Sequence, residues 1–297
     1  MKIARYSIAG EPVIAVKFDT DWYDYGAVLA ARGNFQLPED ADQETIIIKM
    51  IKASVLDGDY IKTQLNPLNF RVDKYMLDLS GATPLLPMRP GKIIGVARNW
   101  KKHAEEQSKE LPASPIFFVK TSNCAFGHGD VISFSKIIGR VDHEGELGVI
   151  IGKTAKGVLA DNAEEHIHSY TIINDITARD YQRELQAKGY PWFAAKSMDG
   201  FAPIGPYLTL PESIGQIGSQ KIEVRVNAEV RQRGVLDEMH WKVPELIEVI
   251  SRNITLDPGD IIAMGTPSGI GPIVPGDVVT VEIDGLGKLV NSVGNYI

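Results

Sequence analysis

The feature that most constrains the fold is a dense series of short, strongly apolar segments that begins at Lys92. They are rich in β-branched and aromatic residues and are separated by Gly, Pro and Asp, which is typical of strands joined by turns. Few helical segments lie between them, so the pattern differs from the regular βαβ alternation of parallel sheets. We therefore expect a mixed α+β, β-rich fold with a mixed sheet rolled into a barrel-like core. The segments are KIIGVA, IFFVK, DVISF, GELGVIIG, YTIINDI, PYLTL, KIEVRVNAEV, DIIAMG and DVVTVEID.

The first 85 residues have a different pattern. KIARYSIAG and PVIAVKFD are predicted to pair as a hairpin around Gly10 and Glu11, and TIIIKMIKASVLDGD is predicted to be a helix that the turn Asp57-Gly58 ends. The proline-containing stretch MLDLSGATPLLPMRPGK is predicted to be a linker. We expect a small N-terminal α+β accessory region at residues 1–85 and a larger domain at residues 90–297.

Three helices are predicted in the larger domain. Asn99 is placed to cap a helix that begins with WKKHAEEQ, and NAEEHIHSY forms a second. VPELIEVISRN is the third, with Pro244 near its start, where proline is favoured.

Composition and charge exclude several function classes. The net charge of −7 argues against a nucleic-acid partner, which would require a basic face. No apolar run approaches the length of about 20 residues that crosses a membrane, and the first residues lack the continuous apolar core of a signal peptide. The single cysteine, Cys124, excludes an intramolecular disulfide. We expect a cytoplasmic protein without a membrane or nucleic-acid partner.

Three carboxylates, Glu144, Glu146 and Asp175, lie at the ends of strongly apolar segments. Glu144 and Glu146 are two positions apart, so on a strand they point to the same face and repel each other. Taken singly, each is explained as a solvent-facing carboxylate at a strand end. Together they can surround a divalent cation that cancels the repulsion. An all-oxygen ligand set favours Mg²⁺ or Mn²⁺, with Ca²⁺ as a further candidate, over Zn²⁺.

Other polar side chains are candidates for catalysis. His103 and Glu106 are three residues apart on a predicted helix, so they share a face and can touch. Spacing alone leaves Glu105 as a rival partner, and a surface histidine in a charged helix is the simpler interpretation. Lys120 ends IFFVK, and Lys196 opens KSMDGFAPIGP. Each is either a solvated charge or, near a metal and an anionic substrate, a group that stabilises negative charge on oxygen.

Seven sequence blocks between about Lys92 and Asn291 occur in the order found in the fumarylacetoacetate hydrolase superfamily. One block alone would be a weak signal, but all seven in order are specific. The chain resembles the branch of bacterial-type acylpyruvases and 2-oxo acid hydrolases. The blocks are GVARNWKKHAEE, PIFFVKTSNCAFGHGDVI, VDHEGELGVIIGK, YTIINDITARDYQ, AAKSMDGFAPIGPYL, VNAEVRQRG and LDPGDIIAMGTPSGIG.

The resemblance implies a β-rich catalytic domain in a homodimer, with a divalent metal held by Glu144, Glu146 and Asp175. It also implies that Glu106 orients His103 as the base. Lys196 matches the active-site lysine of the family. The segment after His103 corresponds to a lid that orders over the substrate in family members.

Substrate binding is assigned to four residues. Gln182 and Thr266 match family positions that contact substrate, and Gly265 leaves the backbone N–H groups of its loop free to face a carboxylate. Lys120 is assigned from its place at a strand end. Arg179 is interpreted as structural.

The activity implied by the resemblance is metal-dependent hydrolysis of a carbon–carbon bond. The substrates would be acylpyruvates, 2,4-dioxo acids such as fumarylpyruvate, cleaved through an enolate held by the metal. The same enolate leaves three alternatives open: decarboxylation of oxaloacetate, isomerisation or hydration of unsaturated 2-oxo acids in aromatic catabolism, and dehydration of sugar acids. A metal-stabilised binding protein without activity is the non-enzymatic alternative.

Overall fold

The computed structural model describes residues 1–33, 45–66 and 71–297. It has the predicted mixed α+β, β-rich fold, with 28% helix and 35% strand. The strands are β1 (Lys2–Ile8), β2 (Glu11–Phe18), β3 (Asp21–Asp24), β4 (Thr83–Leu85), β5 (Ile93–Ala97), β6 (Ile116–Lys120), β7 (Ala125–Phe126), β8 (Val131–Ile132), β9 (Val141–His143), β10 (Gly145–Ile151), β11 (Ile167–Asn174), β12 (Thr177–Ala178), β13 (Ala202–Thr209), β14 (Lys221–Val226), β15 (Glu229–Val235), β16 (Ile261–Ala263), β17 (Gly271–Pro272), β18 (Val278–Ile283) and β19 (Gly287–Val293).

The helices of the described residues are short. The α-helices are α1 (Tyr25–Arg32), α2 (Ile46–Lys52), α3 (Gly58–Gln64), α4 (Lys101–Glu106), α5 (Arg179–Ala187), α6 (Phe193–Lys196) and α7 (Val243–Asn253). The 3₁₀-helices are Val72–Tyr75, Ser122–Cys124, Lys136–Ile138, Ala160–His166, Pro211–Ser213, Ile217–Ser219 and Leu236–Glu238.

The described strands form three sheets. The largest has eleven strands in the order β3-β2-β1-β13-β11-β10-β16-β5-β6, with β4 beside β1 and β7 beside β13. A five-stranded sheet has the order β15-β14-β18-β19-β8, and a three-stranded sheet the order β12-β9-β17. Parallel pairs occur beside antiparallel ones, for example β16 with β5, so the sheet is mixed as predicted. In this large sheet β3 and β6 are the two edge strands and do not pair with each other, so its described strands form an open sheet.

Strand β10 lies in the middle of the large sheet, and every residue in it is buried. Leu147, Val149 and Ile151 point into the apolar layer beneath the five-stranded sheet and α7. Ile150 points into the second apolar layer, which helices α1 to α3 cover. This alternation follows from the two-residue period of a strand, and burial on both faces explains the continuous apolar run.

The N-terminal strands continue the large sheet. Strands β1 and β2 form the predicted hairpin, with Ile8 opposite Glu11. Strand β1 also pairs with β13 of the later part of the chain, with Lys2 opposite Thr209. Strands from both parts of the chain thus share one sheet, and the division into an accessory region at residues 1–85 and a domain at residues 90–297 stays a prediction.

Two predicted helices in the described residues have different bounds. Helix α2 ends at Lys52, and Ser54 follows with φ of 56°, which is outside the helical region. Asp57 then precedes α3 in extended conformation, so Asp57-Gly58 begins a helix instead of ending one. NAEEHIHSY divides between the 3₁₀-helix Ala160–His166 and β11.

The predicted cap at Asn99 is wrong. Trp100 occupies the N-cap position of α4 and makes no side-chain capping bond. Asn99 instead donates to the carbonyl oxygens of Trp241 and Met264, at 3.1 Å and 2.8 Å, and accepts from the Trp241 backbone. The third predicted helix is confirmed as α7, with Pro244 in its first turn.

No α-helix in the described part of the chain combines the length and the apolar character needed to span a membrane.

Burial of His168 in β11 makes the stability of the fold depend on pH. Burial lowers the pKa of His168 from 6.5 to about 4, so the folded state keeps the imidazole neutral while the unfolded state gains a proton. The free energy of unfolding should therefore fall as the pH drops from about 6.5 to 4, by at most about 3 kcal/mol from this residue. Urea unfolding followed by circular dichroism across this range measures the slope.

His168→Asn should flatten that slope, whereas His166→Asn, at a partly exposed position nearby, should leave it unchanged. Equal slopes in wild type and His168→Asn would contradict the assignment.

Candidate active site

The pairing of β10 with β11 brings the three predicted metal ligands together. Gly145 lies opposite Asn174, so Glu144 and Asp175 are neighbours at the end of the pair. The Asp175 backbone N–H donates to the Glu144 carbonyl oxygen at 2.7 Å. One carboxylate oxygen from each of Glu144, Glu146 and Asp175 lies within 4.8 Å of the others, and all three residues are buried.

Lys196, at the end of α6, neutralises part of this charge. Its Nζ donates to Glu144 at 2.9 Å and to Asp175 at 2.5 Å. It also lies 4.7 Å from the centre of the Phe118 ring. Burial opposes the charged ammonium, but attraction to Asp175 and Glu144 outweighs it and raises the pKa of Lys196. The side chain therefore stays protonated at neutral pH beside the carboxylates.

Lys120, at the end of β6, lies behind the carboxylates. Its side chain is fully buried and donates to Asp175 at 2.7 Å and to the Ile176 carbonyl at 3.1 Å. Burial lowers the pKa of Lys120, because the surroundings disfavour its charge. Lys120 does not line the cavity described below, and its contacts favour holding Asp175 over the predicted contact with substrate.

Glu146 differs from the other two carboxylates. In the described residues no lysine or arginine forms an ion pair with it, and it accepts from the Gly265 backbone N–H at 2.7 Å. Burial, followed by repulsion from Asp175 and Glu144, raises the pKa of Glu146 well above its ordinary value. A buried carboxylate with two like-charged neighbours is costly without a cation. The three hard oxygen donors therefore fit a divalent cation such as Mg²⁺ or Mn²⁺.

Arg179, in the first turn of α5, is part of the site, although the sequence predicted it to be structural. It forms an ion pair with Glu144, donates to Asp142 at 2.8 Å and donates to Gln182 at 2.6 Å. Burial opposes its charge, but attraction to Glu144 and the contacts with Asp142 raise the pKa of Arg179. The arginine thus fixes a predicted metal ligand and a predicted substrate contact at once.

His103 and Glu106 in α4 form the predicted pair. The Nδ1 of His103 lies 3.3 Å from a Glu106 carboxylate oxygen, and its Nε2 lies 2.9 Å from the Gln107 side-chain nitrogen. The Gly269 backbone N–H donates to the other oxygen of Glu106 at 3.0 Å. Burial raises and these hydrogen bonds lower the pKa of Glu106, with a net lowering, so the carboxylate stays charged and can orient the imidazole. Glu105, the rival partner, approaches Lys101 instead.

The loop after β16 closes the site from the other side. Thr266 donates to the Gly145 carbonyl at 2.8 Å. Gln232, which lies in the block VNAEVRQRG but was not predicted to be a site residue, donates to Thr266 at 2.7 Å and to the Pro267 carbonyl at 2.6 Å. Its carbonyl oxygen accepts from the Gly145 backbone at 3.2 Å and lies 3.0 Å from His143 Nδ1. Gln232 thus joins the loop to the Glu-Gly-Glu strand.

Glycine is required at position 145 because side chains of the five-stranded sheet pack directly against it. A Cβ atom there would lie 2.4 Å from Val224 and 2.8 Å from Val281, in the five-stranded sheet. The packing of valine side chains against β10 therefore excludes a side chain between the two glutamates.

A cavity of about 580 Å³ opens beside these groups. Eight of the ten predicted site residues line it; the exceptions are Lys120 and Glu106. The lining consists of Val96, Ala97, Arg98, His103, Gln107, Lys109, Phe117, Phe118, Glu144, Glu146, Asp175, Arg179, Gln182, Gln186, Gly189, Tyr190, Pro191, Trp192, Lys196, Gly265 and Thr266.

Removal of Gln232 should loosen the site. Gln232→Ala removes the hydrogen bonds that buried polar groups of His143, Gly145 and Thr266 make to this side chain. We therefore expect the free energy of unfolding to fall by about 2–4 kcal/mol. Mn²⁺ binding, measured by electron paramagnetic resonance, should weaken as well. Gln220→Ala removes the same side chain at a partly exposed position outside the cavity and serves as the control. Unchanged stability and Mn²⁺ affinity in Gln232→Ala would contradict the role.

Comparisons with known proteins place this geometry in a family. The sequence profile described as Fumarylacetoacetate (FAA) hydrolase C-terminal matches residues 92–294. Oxaloacetate tautomerase YisK of Bacillus subtilis is 39% identical over 238 residues, which cover 76% of this chain and 78% of the relative. The mitochondrial oxaloacetate tautomerase FAHD2A of Homo sapiens is 37% identical over 226 residues, which cover 73% and 71%.

A solved structure has a similar fold. Maleylpyruvate hydrolase from Sphingobium sp. SYK-6, in complex with manganese (II) ion and pyruvate, superposes with a TM-score of 0.79 at 25% identity and covers 100% of both chains. The match of the family profile over residues 92–294 and the identity to these relatives lead to one conclusion: the chain belongs to the fumarylacetoacetate hydrolase family.

Proposed function

We propose that this protein is a metal-dependent enzyme that forms the enolate of a 2-oxo acid, and that its main reaction interconverts the keto and enol forms of oxaloacetate. The observation that carries the proposal is the buried cluster of Glu144, Glu146 and Asp175 beside the charged Lys196, at the wall of an open cavity. The two oxaloacetate tautomerases that the chain resembles support this substrate.

The cofactor in this proposal is Mg²⁺ or Mn²⁺, held by Glu144, Glu146 and Asp175. The all-oxygen donor set supports it, as does the manganese in the maleylpyruvate hydrolase structure. When bound, such a cation polarises the oxygens of a 2-oxo acid and stabilises negative charge that develops on them.

The side chains of the site supply the remaining chemistry. His103, with Glu106 fixing its Nδ1, presents Nε2 as the proton acceptor. In the keto-to-enol direction the imidazole takes a proton from the carbon beside the 2-oxo group, and the enolate oxygen then takes up a proton from the imidazolium or from water; in the reverse direction the oxygen loses its proton and the imidazolium protonates the carbon. Lys196 stays protonated and stabilises the oxygen on which negative charge develops. The Gln107 amide contacts Nε2 of His103 in this structure, so it must move away when substrate binds there.

A second candidate reaction is hydrolysis of acylpyruvates, the activity expected first from the sequence. The His103–Glu106 pair supports it, because an oriented imidazole can take a proton from water that attacks the distal carbonyl. The cavity of about 580 Å³ has room for a distal acyl group beyond a four-carbon acid. The carbon–carbon bond then breaks toward the same enolate.

The test is a matched set of assays on the full chain. We expect the protein to speed equilibration of the enol absorbance of oxaloacetate, to lose this activity with a chelator, and to regain it with Mg²⁺ or Mn²⁺. Product identification must show that oxaloacetate survives, since accumulation of pyruvate would indicate decarboxylation. Faster cleavage of fumarylpyruvate or acetylpyruvate would favour the hydrolase. Undiminished turnover after chelation would overturn both candidates.

His103→Asn should lower kcat by at least about 100-fold on the preferred substrate, because it removes the proton acceptor. Mn²⁺ affinity should stay within about twofold, since the three carboxylates are untouched. His166→Asn, outside the cavity, is the control and should retain full activity. A His103→Asn protein with wild-type kcat would show that proton transfer takes place elsewhere.

Homodimer formation and the cytoplasmic location also remain part of the proposal. Analytical ultracentrifugation of the purified protein distinguishes a dimer from a monomer.

A further inference from the structure

Two cationic side chains that line the cavity form no ion pair with a carboxylate of the described residues. Arg98 follows β5 and is half-buried, and Lys109 follows α4 and is exposed. Both line the cavity that holds the carboxylate cluster. Within residues 1–33, 45–66 and 71–297, neither side chain forms a hydrogen bond or an ion pair. Arg179 and Lys196, the other two cations of the cavity lining, are both held by acidic side chains.

The backbone at Arg98 has a conformation that arginine does not favour. Its φ of 57° lies in the left-handed region, where glycine is the usual residue. Ala97, just before it, pairs with Ile116 in β6, and Asn99, just after it, is held by three hydrogen bonds to Trp241 and Met264. These fixed neighbours impose the conformation. An arginine kept where glycine would fit without strain points to a use for its side chain.

The charge balance of the cavity favours a substrate with two negative charges. Among the lining residues, Arg179, Lys196 and a divalent cation together exceed the three carboxylates by one positive charge. Arg98 and Lys109 add two more. A 2-oxo monocarboxylate would leave most of this excess unbalanced, whereas a dicarboxylate balances more of it.

We propose that Arg98, with Lys109 in support, binds the distal carboxylate of a 2-oxo dicarboxylate whose other end lies at the three-carboxylate cluster. This inference rests on the proposed function only for the placement of the 2-oxo end. A guanidinium binds a carboxylate through two parallel hydrogen bonds, which makes Arg98 the main determinant and Lys109 the weaker, more solvent-screened one. The alternative is an apolar distal group against the aromatic wall of Phe117, Phe118 and Trp192.

The experiment is isothermal titration calorimetry of the full chain with Mg²⁺ and two matched probes. 2-Oxoglutarate carries a distal carboxylate, and 2-oxopentanoate has the same carbon chain with a methyl group in its place. Wild type should bind 2-oxoglutarate more tightly. Arg98→Met should weaken 2-oxoglutarate binding by about 10- to 100-fold and change 2-oxopentanoate binding by less than about twofold. Arg98→Lys should fall between the two, and Lys109→Met should have a smaller effect.

Two further variants keep the result interpretable. Arg98→Gly removes the charge and relieves the left-handed strain, so it should stay folded and lose the preference for the dicarboxylate as Arg98→Met does. Arg252→Met removes an exposed arginine of α7 and should change neither affinity.

Three outcomes would overturn the inference: equal binding of the two probes by wild type, no detectable binding of either, or equal weakening of both in the Arg98 variants. Because the readout is binding, its failure is separate from failure of the proposed function. Loss of the dicarboxylate preference in Arg98→Met, in a protein that does not equilibrate oxaloacetate, would support the subsite and reject the tautomerase.

Discussion

The site depends on the antiparallel register between β10 and β11. With Gly145 opposite Asn174, the backbone N–H of Asp175 reaches the carbonyl of Glu144, and two carboxylates from separate segments become neighbours. A shift of one residue would turn Glu146 into the apolar layer on the other face, because strand side chains alternate. The long apolar runs of both strands oppose such a shift, so the burial of hydrophobic side chains fixes the position of the charges.

Placing three carboxylates in a buried position creates an electrostatic cost that the rest of the site offsets in part. Lys196, in α6, bridges Glu144 and Asp175, and Arg179, in α5, forms an ion pair with Glu144. Attraction in a buried site is strong, but each ion also loses its hydration, so pairing compensates only where every charge has a partner. Glu146 forms no ion pair with a lysine or arginine among the described residues, and burial, followed by repulsion from Asp175 and Glu144, raises its pKa. The cluster of three carboxylates therefore fits an additional positive charge, such as a bound cation.

Local pattern predicts the parts of this structure that local forces determine. Apolar runs and their punctuation locate the strands, and the spacing of Glu144 and Glu146, together with Asp175 at the end of another apolar run, indicates the acidic cluster. Asn99 shows the limit: its residue type favours a helix cap, but bonds to Trp241 and Met264, far along the chain, take its side chain instead. Gln232 was missed for a related reason, since it stands in a charged segment that gives no sign of burial.

Lysine and arginine positions show the same limit more sharply. Lys120 and Lys196 both stand at the ends of elements, and apart from the family resemblance at Lys196 the local sequence does not show which of them lies behind Asp175 and which lines the cavity. Arg179 was interpreted as structural rather than catalytic. Its side chain has both a structural contact and a place in the site, because it holds Glu144 and Gln182 and also lines the cavity. Which cation meets which carboxylate depends on helices α5 and α6 packing beside β12, a tertiary fact that no short motif contains.

One loop joins the base to the carboxylates. The Gly265 N–H binds Glu146, while its carbonyl oxygen accepts from the Trp100 indole at the start of α4. Four residues later the Gly269 N–H binds Glu106 at the other end of the helix. A Cβ atom at Gly269 would lie 1.9 Å from the Arg231 carbonyl, so this path of the chain requires glycine. Because α4 has only six residues, its position follows from these contacts, and any movement of the loop shifts the proton acceptor and the acidic cluster together.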